Sequence, residues 1–234
     1  MSLHHILKDL QFHTDPQKAK AYQRFFKDSY TDKKDRFIGV SLPDQRAVAK
    51  RHPELSFKDF QKLLNSDIHE YRMLAGILLV NRFRDNELQR EQIFEFYLKN
   101  AERFNNWDLV DVTADKIVGK FLLERKKQRK ILYNLLKSSN LWEKRIAIVS
   151  TLEFIRQKDF GDTLKISEKL MTDKHDLIHK PIGWMLREVG KRDKEVLLDF
   201  LKTNYNKLPR TTLRYAIEKF SEEKRKKILQ GEFL

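Results

Sequence analysis

Phe57-Lys58-Asp59-Phe60-Gln61-Lys62-Leu63-Leu64 decides how this chain folds. Its apolar residues fall at i, i+3 and i+6/i+7, the spacing that gathers side chains on one face of a 3.6-residue turn. A half-buried strand would alternate apolar and polar residues, and no such pattern competes. The same helical spacing recurs in Ile93-Phe94-Glu95-Phe96-Tyr97-Leu98 and in Ile131-Leu132-Tyr133-Asn134-Leu135-Leu136. Between these segments lie short polar breaks: Thr14-Asp15-Pro16, Leu42-Pro43, His52-Pro53, Asn65-Ser66-Asp67, Asn105-Asn106, Ser138-Ser139-Asn140, Thr172-Asp173 and Leu208-Pro209. Asp15-Pro16 supplies an N-cap followed by Pro at the first helical position. The 234 residues hold 7 Gly and 5 Pro, little material for sharp turns, so helices joined by short turns are expected throughout. Roughly 12 to 14 helices of ordinary length would use the chain.

The helices also repeat. Five apolar helices carry a small residue at a similar place, Ala75, Ala114, Ala147, Gly183 and Ala216, separated by 39, 33, 36 and 33 residues. Each but the last is followed by a more polar helix before the recurrence. That period belongs to stacked helix pairs of the HEAT or TPR type, in which small residues at one level let neighbouring helices approach closely. An irregular helical bundle is the alternative. The expected fold is therefore all-α, a superhelical solenoid of HEAT-like helical repeats, with residues 1–234 as one domain and no long Gly/Ser linker to divide it. Equivalent helices of such a solenoid line one extended concave face.

Composition narrows the function. No cysteine is present, which excludes disulfides, thiolate nucleophiles and zinc–thiolate sites. No Gly-rich loop of the Walker or Rossmann kind is available to cradle phosphate. The longest apolar run, Leu74 to Val80, falls far short of the roughly 20 residues that span a bilayer. The N-terminus shows no signal-peptide core, so a cytoplasmic protein is expected, associated with the nucleoid in a prokaryote. The net charge is +14 and unevenly spread: +4 over residues 1–50, −2 over 51–119, +8 over 120–158, −2 over 159–173 and +6 over 174–234. An excess of this size favours a polyanionic partner, nucleic acid or an anionic membrane surface, although a merely solvated basic surface would give the same count.

Four places combine residue types that chemistry could use. In Asn106-Trp107-Asp108-Leu109-Val110-Asp111, Asn106 can cap a helix starting at Trp107, which puts Trp107 and Asp111 on one face at i and i+4. The blander reading is an acidic first turn complementing the helix dipole. In the second place Lys180, Trp184, Arg187 and Lys191 follow i, i+4, i+7 and i+11, an aromatic set among cations opposite an apolar side of Ile182, Met185, Leu186 and Val189. Such interleaving suits nucleic acid, because indole packs on sugars or bases while cations hold phosphates. Its alternative is a cation–π cluster within the protein. Trp142 and Arg145 form the third place at i and i+3, where Arg145 could clamp a phosphate bidentately. Arg210 and Arg214 form the fourth, one turn apart. His175 and His179 lack a third ligand at convincing spacing and read as a helix face, so no metal site is assigned.

These motifs resemble a known family. Phe37-Ile-Gly39-Val40-Ser-Leu-Pro43-Asp-Gln-Arg46, Trp107-Asp-Leu-Val-Asp111, Trp142-Glu-Lys-Arg145, Gly183-Trp184-Met-Leu-Arg187-Glu188 and Arg210-Thr-Thr-Leu-Arg214-Tyr-Ala-Ile-Glu218 are similar, in order and spacing, to the AlkD-like DNA alkylation repair family from about residue 20 to 220. The resemblance implies a HEAT-like-repeat DNA glycosylase acting on N3- and N7-alkylated purines in double-stranded DNA. It further implies a monofunctional enzyme that leaves an abasic site and uses no metal or other cofactor. By the same match Asp111 corresponds to the catalytic carboxylate, and Trp107 and Trp184 to the aromatic pair beside the damaged nucleotide. Arg145 and Arg187 correspond to backbone-contacting arginines, and Arg46, Lys191, Arg210 and Arg214 complete the expected DNA-binding set. A monomer with no obligate protein partner is expected. Where members carry a tyrosine in the early helix this chain reads Arg24-Phe25-Phe26, which removes a hydroxyl. No pocket-forming insertion is evident, so recognition through the exposed duplex face is expected. A non-catalytic helical-repeat protein that binds damaged or branched DNA would need the same cations without Asp111.

Overall fold

A computed structural model of the chain describes residues 3–26 and 35–233, the side chain of Phe25 excepted. The fold is all-α as expected. Among the described residues no strand forms, and one isolated parallel bridge joins Arg36 to Ile68. Two of the sixteen α-helical segments, Lys120–Leu122 and Leu152–Arg156, are short continuations of the helical run before them, leaving fourteen helices. No helix among the described residues is long and apolar enough to cross a membrane.

The chain forms two compact units, Met1–Thr113 and Ala114–Leu234. The first holds helices Leu3–Gln11, Pro16–Tyr22, Leu42–Arg51, Phe57–Leu64, His69–Asp85, Arg90–Lys99 and Trp107–Ala114. Their starts are set by short polar side chains, of which Asp15 is the one the sequence reading expected. Asp15 accepts the backbone N–H groups of Gln17 and Lys18 at 2.9 and 3.1 Å, with Pro16 next in the chain. Ser41 and Ser56 each cap a helix by accepting the N–H three residues on, and each hydroxyl donates back to the carboxylate of that residue, Asp44 and Asp59. These reciprocal bonds satisfy donors that a helix start leaves open. Phe60, Leu63 and Leu64 are buried while Lys58 and Lys62 are exposed, so the 57–64 stretch presents the face its spacing requires.

In the second unit the apolar helices stack on one another. Leu141–Ser150 packs on Asp176–Gly190, and Asp176–Gly190 packs on Arg210–Ala216. More polar helices, Gly161–Leu170 and Lys194–Asn204, pack against this row. Ala147 and Ala216 are fully buried. At Gly183 a Cβ would sit 2.4 Å from the Cβ of Tyr215 and 2.7 Å from the carbonyl of Thr212, so only glycine allows the approach. At Gly183 the repeated small residue thus marks helix–helix contact.

One helix leaves a carbonyl without its usual backbone donor for a visible reason. Pro181 lies inside helix Asp176–Gly190 and has no N–H to give the carbonyl of Leu177. The Arg145 guanidinium donates to that carbonyl instead, at 2.6 Å.

Candidate functional site

Helix Trp107–Ala114 begins where the capping pattern puts it, with the Asn106 side-chain oxygen accepting the Trp107 N–H at 2.8 Å. Trp107, Asp108, Asp111 and Val112 all line one cavity of about 410 Å³ in the first unit. The other walls come from Tyr22, Phe26, Phe37, Val40, Leu42 and Met73, with Gln45, His69 and Glu70. The sequence shows no insertion that would build a pocket, yet the loop carrying Phe37 and the end of the early helices build one against Trp107.

Aromatic rings define one side of the cavity. Phe26 stacks on Trp107 with centroids 5.5 Å apart and planes 18° from parallel, and on Phe37 at 4.9 Å. The imidazole of His69 lies 4.9 Å from both phenylalanine rings. Phe26 is thus an aromatic partner of Trp107, while the side chain of Phe25 lies outside the described residues. The loop after residue 35 is pinned by Glu70, buried at 1% exposure, which accepts the N–H groups of Ile38 and Gly39 at 3.1 and 2.8 Å. Gly39 has φ +82°, and a side chain there would collide with the carbonyl of Asp15.

A buried charge cluster holds helix Trp107–Ala114 to helix His69–Asp85. His69 lies 2.8 Å from Asp108 through Nε2 and 3.2 Å from Asp35 through Nδ1. Asp35 also accepts from Arg72 at 2.6 Å and from Asn106 at 3.0 Å. Burial works against the imidazolium, but the charge and hydrogen bonds of Asp108 and Asp35 outweigh it and raise the His69 pKa to about 9. Burial likewise works against the Asp35 carboxylate, and His69, Arg72 and Asn106 outweigh it and hold its pKa below the usual carboxylate value.

The remaining expected residues divide by exposure. Arg46 is exposed on helix Leu42–Arg51. Trp184 is half-buried on helix Asp176–Gly190, and Arg187 on the same helix directs its guanidinium to Glu218. Lys191 pairs with Glu188 at 2.5 Å. Arg210 is exposed and donates to the Leu229 carbonyl at 2.9 Å, and Arg214 is exposed. Arg145 is a correction. It is 4% exposed and its Nη1 is held by Leu177, and Trp142 beside it is also buried, so this pair forms core rather than a phosphate clamp. His175 and His179 serve their own helix, His175 Nδ1 accepting the Leu177 N–H and His179 Nε2 meeting the Asp173 carbonyl.

Sequence reasoning missed His69, Asp35 and Arg72 altogether. Their partners stand 34 to 39 residues away, and no spacing rule links them. Phe26 and Phe37 were visible as residues of the early motifs, but nothing in the sequence stacked them on Trp107.

The DNA alkylation repair enzyme family matches residues 6–220. Among solved structures the chain is similar to a predicted DNA alkylation repair enzyme from Enterococcus faecalis, at 18% identity and a TM-score of 0.71, over 91% of this chain and 99% of that one. At this identity the likeness bears on the fold alone. No curated protein matches.

Proposed function

The chain belongs to the DNA alkylation repair enzyme family, and from that premise we propose that it is a monofunctional DNA glycosylase. It hydrolyses the N-glycosidic bond of N3- and N7-alkylated purines in duplex DNA and leaves an abasic site, acting as a monomer. The observation that carries this reading is that Trp107 and Asp111 line one largely apolar, aromatic cavity.

Alkylation at N3 or N7 makes the purine a cationic leaving group, so bond breaking needs little help at the base. Positive charge then develops on the deoxyribose as an oxocarbenium-like ion. A carboxylate fixed beside that sugar stabilises the charge and orients the attacking water, and Asp111 takes this role. Apolar walls reduce screening by water and strengthen the contact. The indoles of Trp107 and Trp184 add cation–π attraction of roughly 0.5–2 kcal/mol each. Arg46, Arg187, Lys191, Arg210 and Arg214 hold phosphates and set register without reading sequence. No lysine nucleophile is required, so the abasic strand stays intact.

The test is release of free base from duplex DNA containing 7-methylguanine. The wild-type protein is expected to release it, and Asp111→Asn to slow release by roughly 100-fold or more, as for loss of a preorganised electrostatic contact. No release by the wild type overturns the glycosylase reading; salt-dependent binding in that case makes the protein a non-catalytic binder of damaged or branched DNA. Undiminished release by Asp111→Asn overturns the role of Asp111.

A further inference from the structure

Both ring nitrogens of His69 face carboxylate oxygens, Nε2 on Asp108 and Nδ1 on Asp35. A neutral imidazole has one N–H and one lone pair, and would set that lone pair against a carboxylate; imidazolium donates from both sides. The charges also close. Asp35 and Asp108 stand against His69 and Arg72, all within 3.2 Å contacts. The neighbouring carboxylate, Glu70, is committed to the backbone N–H groups of Ile38 and Gly39.

Asp108 and Asp111 are three residues apart on one helix, and both line the cavity. Side chains at that spacing are neighbours, and like charges on them repel unless one is compensated. We propose that His69 is a positioning residue that neutralises Asp108 beside Asp111, the carboxylate that acts at the reacting sugar. The last clause rests on the glycosylase reading; the coupling of His69 and Asp108 to Asp111 does not.

The experiment is a carbon-13 NMR titration of the Asp111 carboxyl in the full chain. His69→Gln is expected to raise its midpoint by about one pH unit, the scale of one uncompensated neighbouring charge. His69→Gln with Asp108→Asn is expected to restore it, because the orphaned carboxylate is gone. Asp108→Asn alone leaves an unopposed imidazolium and is expected to lower it; this variant carries the test if His69→Gln does not fold. In kinetics on 7-methylguanine DNA the acidic limb of kcat/KM is expected to move by the same amounts, with KM for DNA unchanged. An unmoved Asp111 midpoint in the folded single variants, or a double variant that stays displaced, overturns the proposal. A wild type that excises nothing overturns the proposed function instead, and the titration still decides the role of His69.

Discussion

Arg145 ends on a carbonyl that Pro181 leaves open, and this fixes what its loss does. Arg145→Ala strips the Leu177 carbonyl of its donor inside the core and opens a void beside Trp142. An unsatisfied buried polar group costs about 1–3 kcal/mol. The variant is expected to lose roughly 2 kcal/mol in denaturant unfolding, while the salt dependence of its DNA binding stays that of the wild type. A clear fall in salt dependence with stability intact would return Arg145 to the phosphate-binding set. The residue also shows where sequence reading stops. Trp142 and Arg145 at i and i+3 share a face, but spacing alone does not say whether that face meets solvent or the next helix. Trp107 and Asp111 at i and i+4 were legible because Asn106 fixes the helix start and Val110 and Ala114 fix the buried side. His69 was not legible, since its meaning comes from Asp35 and Asp108, brought to it only by folding.

Helices were the most legible level, because caps are local. Asp15, Ser41, Ser56, Asn140, Asp193 and Ser221 each bond a backbone N–H two or three residues on, and of these Asp15 and Asn140 stand in polar breaks that the sequence reading expected. How closely helices approach is legible only where glycine marks it. Gly183→Ala forces a methyl against Tyr215 and the Thr212 carbonyl, so helices Asp176–Gly190 and Arg210–Ala216 must part. Overpacking of this kind costs about 1–3 kcal/mol, and a drop of that size in unfolding free energy is expected. Helices His69–Asp85 and Trp107–Ala114 are joined by charge, and their joint is pH-dependent. The folded His69 pKa stands above its unfolded value of 6.5 at about 9. Its contribution is therefore full below pH 6.5 and is lost as pH rises through about 9. Asp35 acts in the opposite sense, since its folded pKa is depressed, and its contribution is lost as pH falls through that lowered value. Thermal melting across pH 5–10 is expected to show a fall toward pH 9–10 that is missing in His69→Gln. An identical fall in both proteins would assign it to other groups.

Charge belongs to the whole molecule. Residues 114–234 carry 29 basic and 17 acidic side chains, net +12, while residues 1–113 carry 19 and 17, net +2. Under the proposed function, most of the attraction for duplex DNA would come from the later unit, while the candidate catalytic cavity lies in the nearly neutral one. Several of those cations are already engaged, Arg187 by Glu218 and Lys191 by Glu188, so a phosphate must displace a carboxylate rather than water. That exchange lowers net affinity without changing how many counterions the DNA releases. Affinity for a lesion-free duplex is then set by how many phosphates are neutralised, with log K falling against log salt by about 0.9 for each. If Arg46, Arg187, Lys191, Arg210 and Arg214 all contact phosphate, the slope is about −4 to −5. Arg214→Ala is expected to make it shallower by about 0.9 and to weaken all duplex sequences alike. Glu218→Gln frees Arg187 from its carboxylate, so it is expected to tighten binding several-fold at a fixed salt concentration with little change of slope. Titrations of both variants against one duplex at several salt concentrations separate count from competition. A slope that neither Arg214→Ala nor Arg187→Ala alters would mean that these cations are solvated rather than bound to DNA.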